Sequence, residues 1–219
     1  MEGISSVRRS RPGDETGLRA LWKLGFGDGD EFLDVFFGEV YTVGSAAVAE
    51  EDGQIVSAAY VVPFGDKRYI YAVATHPDFR GRGYGRAVTL AAADGKPAYL
   101  CPADPGLRDW YISVTDAVPA SRRWALIAPQ YLRSIPREEY VRRRESILAG
   151  TPHPEYPPAI LDLFQLNGDF YEYTNDGGGI CAVEKNGAVA ELLPPLPGGD
   201  VYLLGLNGAP PLYWGLTLA

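Results

Sequence analysis

Three features of the chain predict an α+β fold: a mixed sheet flanked by helices, with a smaller β-rich lobe behind it. Strand-like and helix-like apolar runs alternate from residue 7 to about 128, with short turns between them. One of these runs, 69–75, passes directly into a loop carrying Gly81, Gly83 and Gly85 and then into a helix-like run, 87–93. Prolines at 152, 154, 157 and 158 then interrupt the pattern, and the residues beyond them are again strand-like. At 219 residues and 46% hydrophobic content, the chain can bury the core of one large domain or of a domain plus a lobe.

Residues 7–9 read as a short strand. Residues 14–24 read as a helix with Leu18, Leu21, Trp22 and Leu24 at helical spacing and Asp14 at its N-cap. The glycines of 25–29 end it, and a second helix covers about 30–41, burying Phe32, Leu33, Phe36, Phe37 and Val40. Runs 46–50 and 54–62 form a hairpin around Asp52-Gly53. A turn at Asp66-Lys67 leads into a strand at 68–75, the glycine loop and its helix. Then come a strand at 97–102, a short helix at 107–114 and a strand at 123–128. Residues 136–148 are helical, and Glu138 and Glu139, four positions before Arg142 and Arg143, make that basic run a solvated helix face. Beyond Thr151, a hairpin turns at Asn186-Gly187, and 201–206 and 212–218 supply further strands. The expected division is a first domain at 1–135, a connecting helix at 136–150 and a β-rich lobe at 151–219.

Residues 47–63 and 180–195 echo each other as strand, acidic turn, strand and proline, each followed by a glycine turn and an aromatic strand. One reading makes the second lobe a reduced copy of the first half; the other is chance likeness of two hairpins. Superposition of hairpin and following strand separates them.

Composition excludes several classes. Cys101 and Cys181 are too few for a disulfide framework or a four-ligand zinc site, and the only histidines are His76 and His153, so no metal is expected. A net charge of −8 argues against a nucleic-acid partner and suits a cationic amine. The apolar runs fall well short of the roughly 18 residues that span a bilayer, and residues 1–20 lack a secretory pattern, so no membrane association and a cytoplasmic location are expected.

The glycine loop carries the chemistry. Backbone N–H groups at a helix N-terminus attract phosphate oxygens, the glycines allow close approach, and Arg80, Arg82 and Arg86 add positive charge. A dinucleotide fingerprint would need a third glycine at position 86, where Arg86 stands. The string Arg80-Gly-Arg-Gly-Tyr-Gly85, with its lead-in His76-Pro-Asp-Phe-Arg80, resembles the Arg/Gln-x-x-Gly-x-Gly/Ala signature of the GCN5-related N-acetyltransferase (GNAT) superfamily. The order of elements over about 4–130 is similar to that superfamily's.

The resemblance implies the acyl-CoA N-acyltransferase fold and acetyl-CoA as co-substrate. It implies transfer of the acetyl group to the amine of a small molecule or peptide by direct attack, in a monomer or homodimer. The alternative is an acyl-CoA-binding module of the same fold with little or no transferase activity. On this likeness Val73, Ala74 and Thr75 pair with the pantetheine arm, and Arg80, Gly81, Arg82, Gly83, Tyr84, Gly85 and Arg86 cradle the pyrophosphate. Tyr111 of the Trp110-Tyr111 pair protonates the leaving thiolate; as a plain reading, it is a core tyrosine. Asp104, seven residues earlier, stands where the family carries a cofactor-contacting Asn. The helix pair forms a wall of the acceptor site, offering Phe26, Asp28, Glu31, Phe32 and Glu39 as contacts, with core packing the better reading of the two phenylalanines. Tyr99 occupies the position of a catalytic Glu in some members, so no general base is assigned; Glu39, Glu50 and the Ala219 carboxylate are candidates. His76 reads as a turn or capping residue.

Overall fold

The computed structural model describes residues 7–64, 67–123, 129–150, 153, 156, 158–174, 177–185, 187, 189–194 and 200–207. From the N-terminus, β1 (Val7–Arg9) leads to α1 (Glu15–Phe26) and α2 (Asp30–Val35), which continues as a π-helical turn over Phe36–Val40. β2 (Ala46–Glu51), β3 (Gln54–Phe64) and β4 (Lys67–Thr75) come next. A 3₁₀ turn at Pro77–Phe79 then precedes α3 (Tyr84–Ala93), β5 (Ala98–Leu100), α4 (Pro105–Val114) and β6 (Val118–Arg123). The chain continues through β7 (Leu132–Ser134), α5 (Arg137–Leu148), α6 (Pro158–Asn167), β8 (Gly168–Tyr173), β9 (Gly179–Glu184), β10 (Val189–Leu193) and β11 (Asp200–Leu206).

Seven strands form one sheet in the order β1-β2-β3-β4-β5-β11-β6, and four form a second in the order β10-β9-β8-β7. Every pairing in the larger sheet is antiparallel except β4 with β5. The β2–β3 turn holds Asp52 at φ 49° and Gly53 at φ 77°, the pair of positive φ values that lets a two-residue turn follow the strands' twist. Apolar side chains of the sheet divide between two faces. One face packs Leu18, Trp22, Phe32, Leu33 and Phe36 of the helix pair, joined by Ile160, Leu163 and Phe164 of α6. The other packs Tyr84, Val88 and Ala92 of α3 with Tyr111 of α4. Trp22 centres the first cluster, with ring centroids 4.5 Å from Phe36, 4.9 Å from Tyr60 and 5.7 Å from Phe32.

The order of elements through α4 is the expected one, with local corrections. Asp14 holds the N-cap position but directs its carboxylate to Arg8 at 2.7 and 3.0 Å and caps nothing. The strand expected at 123–128 lies at Val118–Arg123, and residues 124–128 are outside the described residues. So are the strand expected at 212–218 and the turn residues Asp66 and Asn186. The sequence reading contains neither α6 nor β8: Pro158 opens a helix at its first turn, where a missing N–H costs nothing, so the proline cluster marks a helix start.

The largest correction concerns β11. Expected within the second lobe, it instead returns to the first sheet and lies between β5 and β6. In the echo between the two hairpins, β4 pairs with the β3 arm of its hairpin, whereas β11 pairs with neither strand of the β9–β10 hairpin. The strand order differs, so the smaller sheet is not a reduced copy of the first half. The smaller sheet also begins earlier than Thr151, at Leu132. Among the described residues no helix is long and apolar enough to cross a membrane, and no group of three His, Cys, Asp or Glu is placed to hold a metal ion.

Candidate active site

β4 organises the site through where its pairing stops. It pairs with β5 only from Arg68 to Ile70, so from Tyr71 onward its edge on that side has no strand neighbour among the described residues. On the other side, the His76 N–H donates to the Val56 carbonyl at 2.8 Å. Antiparallel alternation then turns Ala74 toward β3 and leaves the N–H and C=O of Val73 and Thr75 facing the opening. At the point of divergence the strand carries a bulge: Tyr60 opposes Ala72 while Val61 opposes Ile70, leaving Tyr71 as the extra residue. A bulge re-aims side chains, and here both Tyr71 and Ala72 line one cavity.

Past Thr75 the chain enters the glycine loop. Nδ1 of His76 accepts the Asp78 N–H at 3.3 Å, which caps the 3₁₀ turn, and Arg80 Nε donates to the Thr75 carbonyl at 3.2 Å. Gly81 and Gly83 have φ of 76° and 88°, and a Cβ on either would meet nothing within 4 Å; both therefore border open space. Gly85 is different. A Cβ there would lie 3.2 Å from Thr75 Oγ1 and 3.3 Å from the Trp110 ring, so the glycine lets α3 seat against β4 and α4. Gly83 is the N-cap of α3 and offers no side-chain cap. The N–H groups of Gly83, Tyr84, Gly85 and Arg86, the orphan donors of a helix start, thus point out of the helix end with no acceptor among the described residues.

The predicted cofactor residues take distinct places around this cradle. Arg82 donates to the Asp78 carbonyl at 3.1 Å and lies 4.9 Å over the Phe79 ring. Arg86 turns away to the end of α4, where Nε donates to the Val114 carbonyl at 2.6 Å. Tyr84 is buried, and its hydroxyl donates to Glu51, so its contribution at the loop is its backbone. Asp104 is the N-cap of α4, its Oδ1 accepting the Leu107 N–H at 2.9 Å.

Tyr111 is 7% exposed, its ring 4.7 Å from Trp110, and its hydroxyl has no hydrogen-bond partner among the described residues. Burial pushes its pKa well above the ordinary tyrosine value, and the Cys101 thiol, just past the end of β5, adds to the effect. The hydroxyl is therefore a proton donor at neutral pH. Of the proposed bases, Glu50 is tied to Arg8 at 2.6 Å, and the Ala219 carboxylate is outside the described residues. Tyr99 is fully buried on β5.

A cavity of about 500 Å³ opens beside the bulge. Its walls are Trp22, Phe26, Asp28 and Phe32 from the first two helices, Tyr71 and Ala72 from β4, and Leu163, Phe164 and Asn167 from α6, with Glu184 and Lys185 at the rim. Phe26, Asp28 and Phe32 line this cavity together, whereas Glu31 and Glu39 are not among the lining residues. The α6 wall has no signal in the sequence, because nothing in 158–167 marks which face of the larger sheet it covers.

The geometry suits an extended ligand that ends in phosphate. Residues 42–117 match the model of the acetyltransferase (GNAT) domain, a span from just before β2 to just past α4 that includes the open edge, the loop and Tyr111. Over these residues the chain is similar to the GNAT acetyltransferase domain. Among solved structures, a putative acetyltransferase from Pyrococcus horikoshii is similar over the whole chain: 11% identity, 100% of this chain and 97% of that one covered, TM-score 0.58. A GCN5-related N-acetyltransferase from Anabaena variabilis is similar at 14% identity over 84% of this chain and 56% of its own, TM-score 0.50. At such identities the likeness is one of fold. No curated protein matches the chain.

Proposed function

We propose that the protein is an acetyl-CoA-dependent N-acetyltransferase acting on the amine of a small molecule or peptide. The observation that carries this reading is one continuous path: the open β4 edge at Val73 and Thr75, the bare glycines of the loop, and the free N–H groups that start α3. The N–H and C=O of Val73 and the N–H of Thr75, on an exposed strand edge, suit the two amides of a pantetheine arm, which can pair with them as an added strand does. The helix N-terminus suits a pyrophosphate, with Arg80 and Arg82 beside it. The cavity at the bulge then holds the amine next to the end of that arm.

In this arrangement the residues supply positioning and one proton. The amine nitrogen, in its neutral form, attacks the thioester carbon, a C–N bond forms and the C–S bond breaks, and the amine proton leaves to solvent. The Tyr111 O–H, held protonated by burial, delivers its proton to the departing sulfur.

Thermal unfolding with saturating acetyl-CoA tests the reading. At a concentration of 100 Kd, linkage gives about 2.7 kcal/mol, a rise of roughly 5–10 °C for a chain of this size. Gly83→Glu places a carboxylate and a non-glycine residue at φ 88° where the pyrophosphate would lie, and the shift is expected to vanish. An unshifted wild type would reduce the loop to a structural turn.

A further inference from the structure

The cavity beside the bulge has a chemistry of its own. Trp22, Phe26, Phe32, Tyr71 and Phe164 give it aromatic walls, and Asp28 stands among them. Asp28 accepts the Trp22 indole N–H at 2.8 Å, a neutral donor that orients the carboxylate without neutralising it. Of the other acids of these helices, Glu15 and Asp34 pair with Arg19 at 2.8 Å and Asp30 with Lys23 at 2.6 Å, while Glu31 and Glu39 do not line the cavity. No ion pair of Asp28 is formed among the described residues. Lys185, the cation at the rim, donates to the Leu166 carbonyl at 2.6 Å and so is held on the end of α6. A partly buried carboxylate without an ion pair, in a cavity lined by aromatic residues, is a site for a positively charged nitrogen.

Two further features narrow the ligand. The walls come from the first two helices and from α6, and the volume of about 500 Å³ lies within the ordinary range of small-ligand pockets. Asp28 and Glu184 are the two carboxylates of the lining, and Glu184 adjoins Lys185, so a polyamine would bring more charges than the cavity matches, whereas one ammonium on a compact apolar body meets Asp28 and the aromatic walls.

We propose that this cavity binds a small arylalkylamine-type acceptor, with its ammonium on Asp28 and its apolar body against Trp22, Phe26, Phe32 and Phe164. The inference rests on the acetyltransferase reading for the fate of the amine, but not for its binding. The α6 wall makes the second lobe a specificity element. It contributes Phe164 to the pocket rather than a cofactor site.

The test uses (2-phenylethyl)trimethylammonium, a quaternary cation that cannot be acetylated, titrated calorimetrically into the full chain without acetyl-CoA. Wild type is expected to bind it, Asp28→Asn to bind about tenfold or more weakly, and Phe164→Ala also more weakly. Asn keeps an acceptor for the Trp22 N–H, so the Asp28→Asn variant retains its melting temperature, which is measured alongside. Spermidine should compete poorly. Failure of wild type to bind, equal binding by Asp28→Asn, or equal competition by spermidine would each overturn the proposal. The acetyl-CoA shift is read on the same samples. Binding of the cation without that shift would sink the transferase reading and leave the amine site standing; the shift without cation binding would do the reverse.

Discussion

Tyr111→Phe is expected to lower kcat at least tenfold while leaving the acetyl-CoA-induced thermal shift in place. General acid catalysis by a positioned side chain contributes about 10²–10⁴ in rate, and phenylalanine keeps the ring that packs against Trp110 while deleting the proton donor. The readout separates two roles. A packing tyrosine would show in the melting temperature and not in kcat; an acid shows in kcat alone. The pH dependence has a definite sign. Because burial raises its pKa, Tyr111 stays protonated through the ordinary tyrosine range near 10, so its contribution to the rate persists there and is lost only as pH rises through the raised value. The same shift links to stability: the folded state holds the proton more tightly than the unfolded chain, a gain fully present below the ordinary value and lost as pH climbs through the raised one. Unchanged kcat in the variant would remove Tyr111 from the chemistry. A wild type that binds acetyl-CoA yet turns over no amine would leave a CoA-binding module.

The second large effect is expected far from the site. Arg144, 1% exposed, and Glu191, 4% exposed, face each other at 3.0 Å between α5 and β10. Tyr140 donates its hydroxyl to Glu191, and the Tyr156 ring lies 4.3 Å from the guanidinium carbon. Burial, the largest influence, weakens the charge on Arg144, but Glu191 together with Tyr156 and Tyr140 offsets it, and the net shift of its pKa is upward. Glu191→Ala removes the buried partner and leaves the guanidinium in the core with the half-exposed Glu145, at 3.0 Å, in its place. The expected loss is about 3–5 kcal/mol, a fall in Tm of roughly 6–20 °C. Replacing both partners, as Arg144→Met with Glu191→Leu, should recover most of it, since apolar residues of similar volume do not leave an uncompensated charge. A single-variant loss below about 1 kcal/mol would mean that water reaches the pair.

The chain announces the parts of this fold that are local. Asp52-Gly53 specifies its own turn, and the run from Tyr69 to Gly85 shows strand, loop and helix start without reference to anything distant. The bulge at Tyr71 is another matter. It depends on how β3 and β4 register, and no residue type at 71 demands it. Asp104 can be matched to a family position by spacing, yet its immediate task, capping α4, follows from Pro105 at the helix's first position. The aromatic residues of the first two helices are legible as apolar, but Asp28 and Phe164 become neighbours only through tertiary packing, since α6 lies over 130 residues away in sequence. The place of β11 is illegible for the same reason: its alternation marks a strand, but not which sheet takes it.

That last strand makes the order of synthesis matter. β5 and β6 do not pair with each other; each meets β11, which emerges only after the whole smaller sheet has been made. Until then a nascent chain presents two unfilled strand edges, with Leu100 of β5 exposed where Leu204 will later lie opposite it. The smaller lobe is thus a long closed loop in the larger one, and its entropic cost grows only slowly with length. A fragment cut at the apparent boundary near residue 150 would keep every residue of the glycine loop and Tyr111, yet lack the strand that seals the floor beneath them.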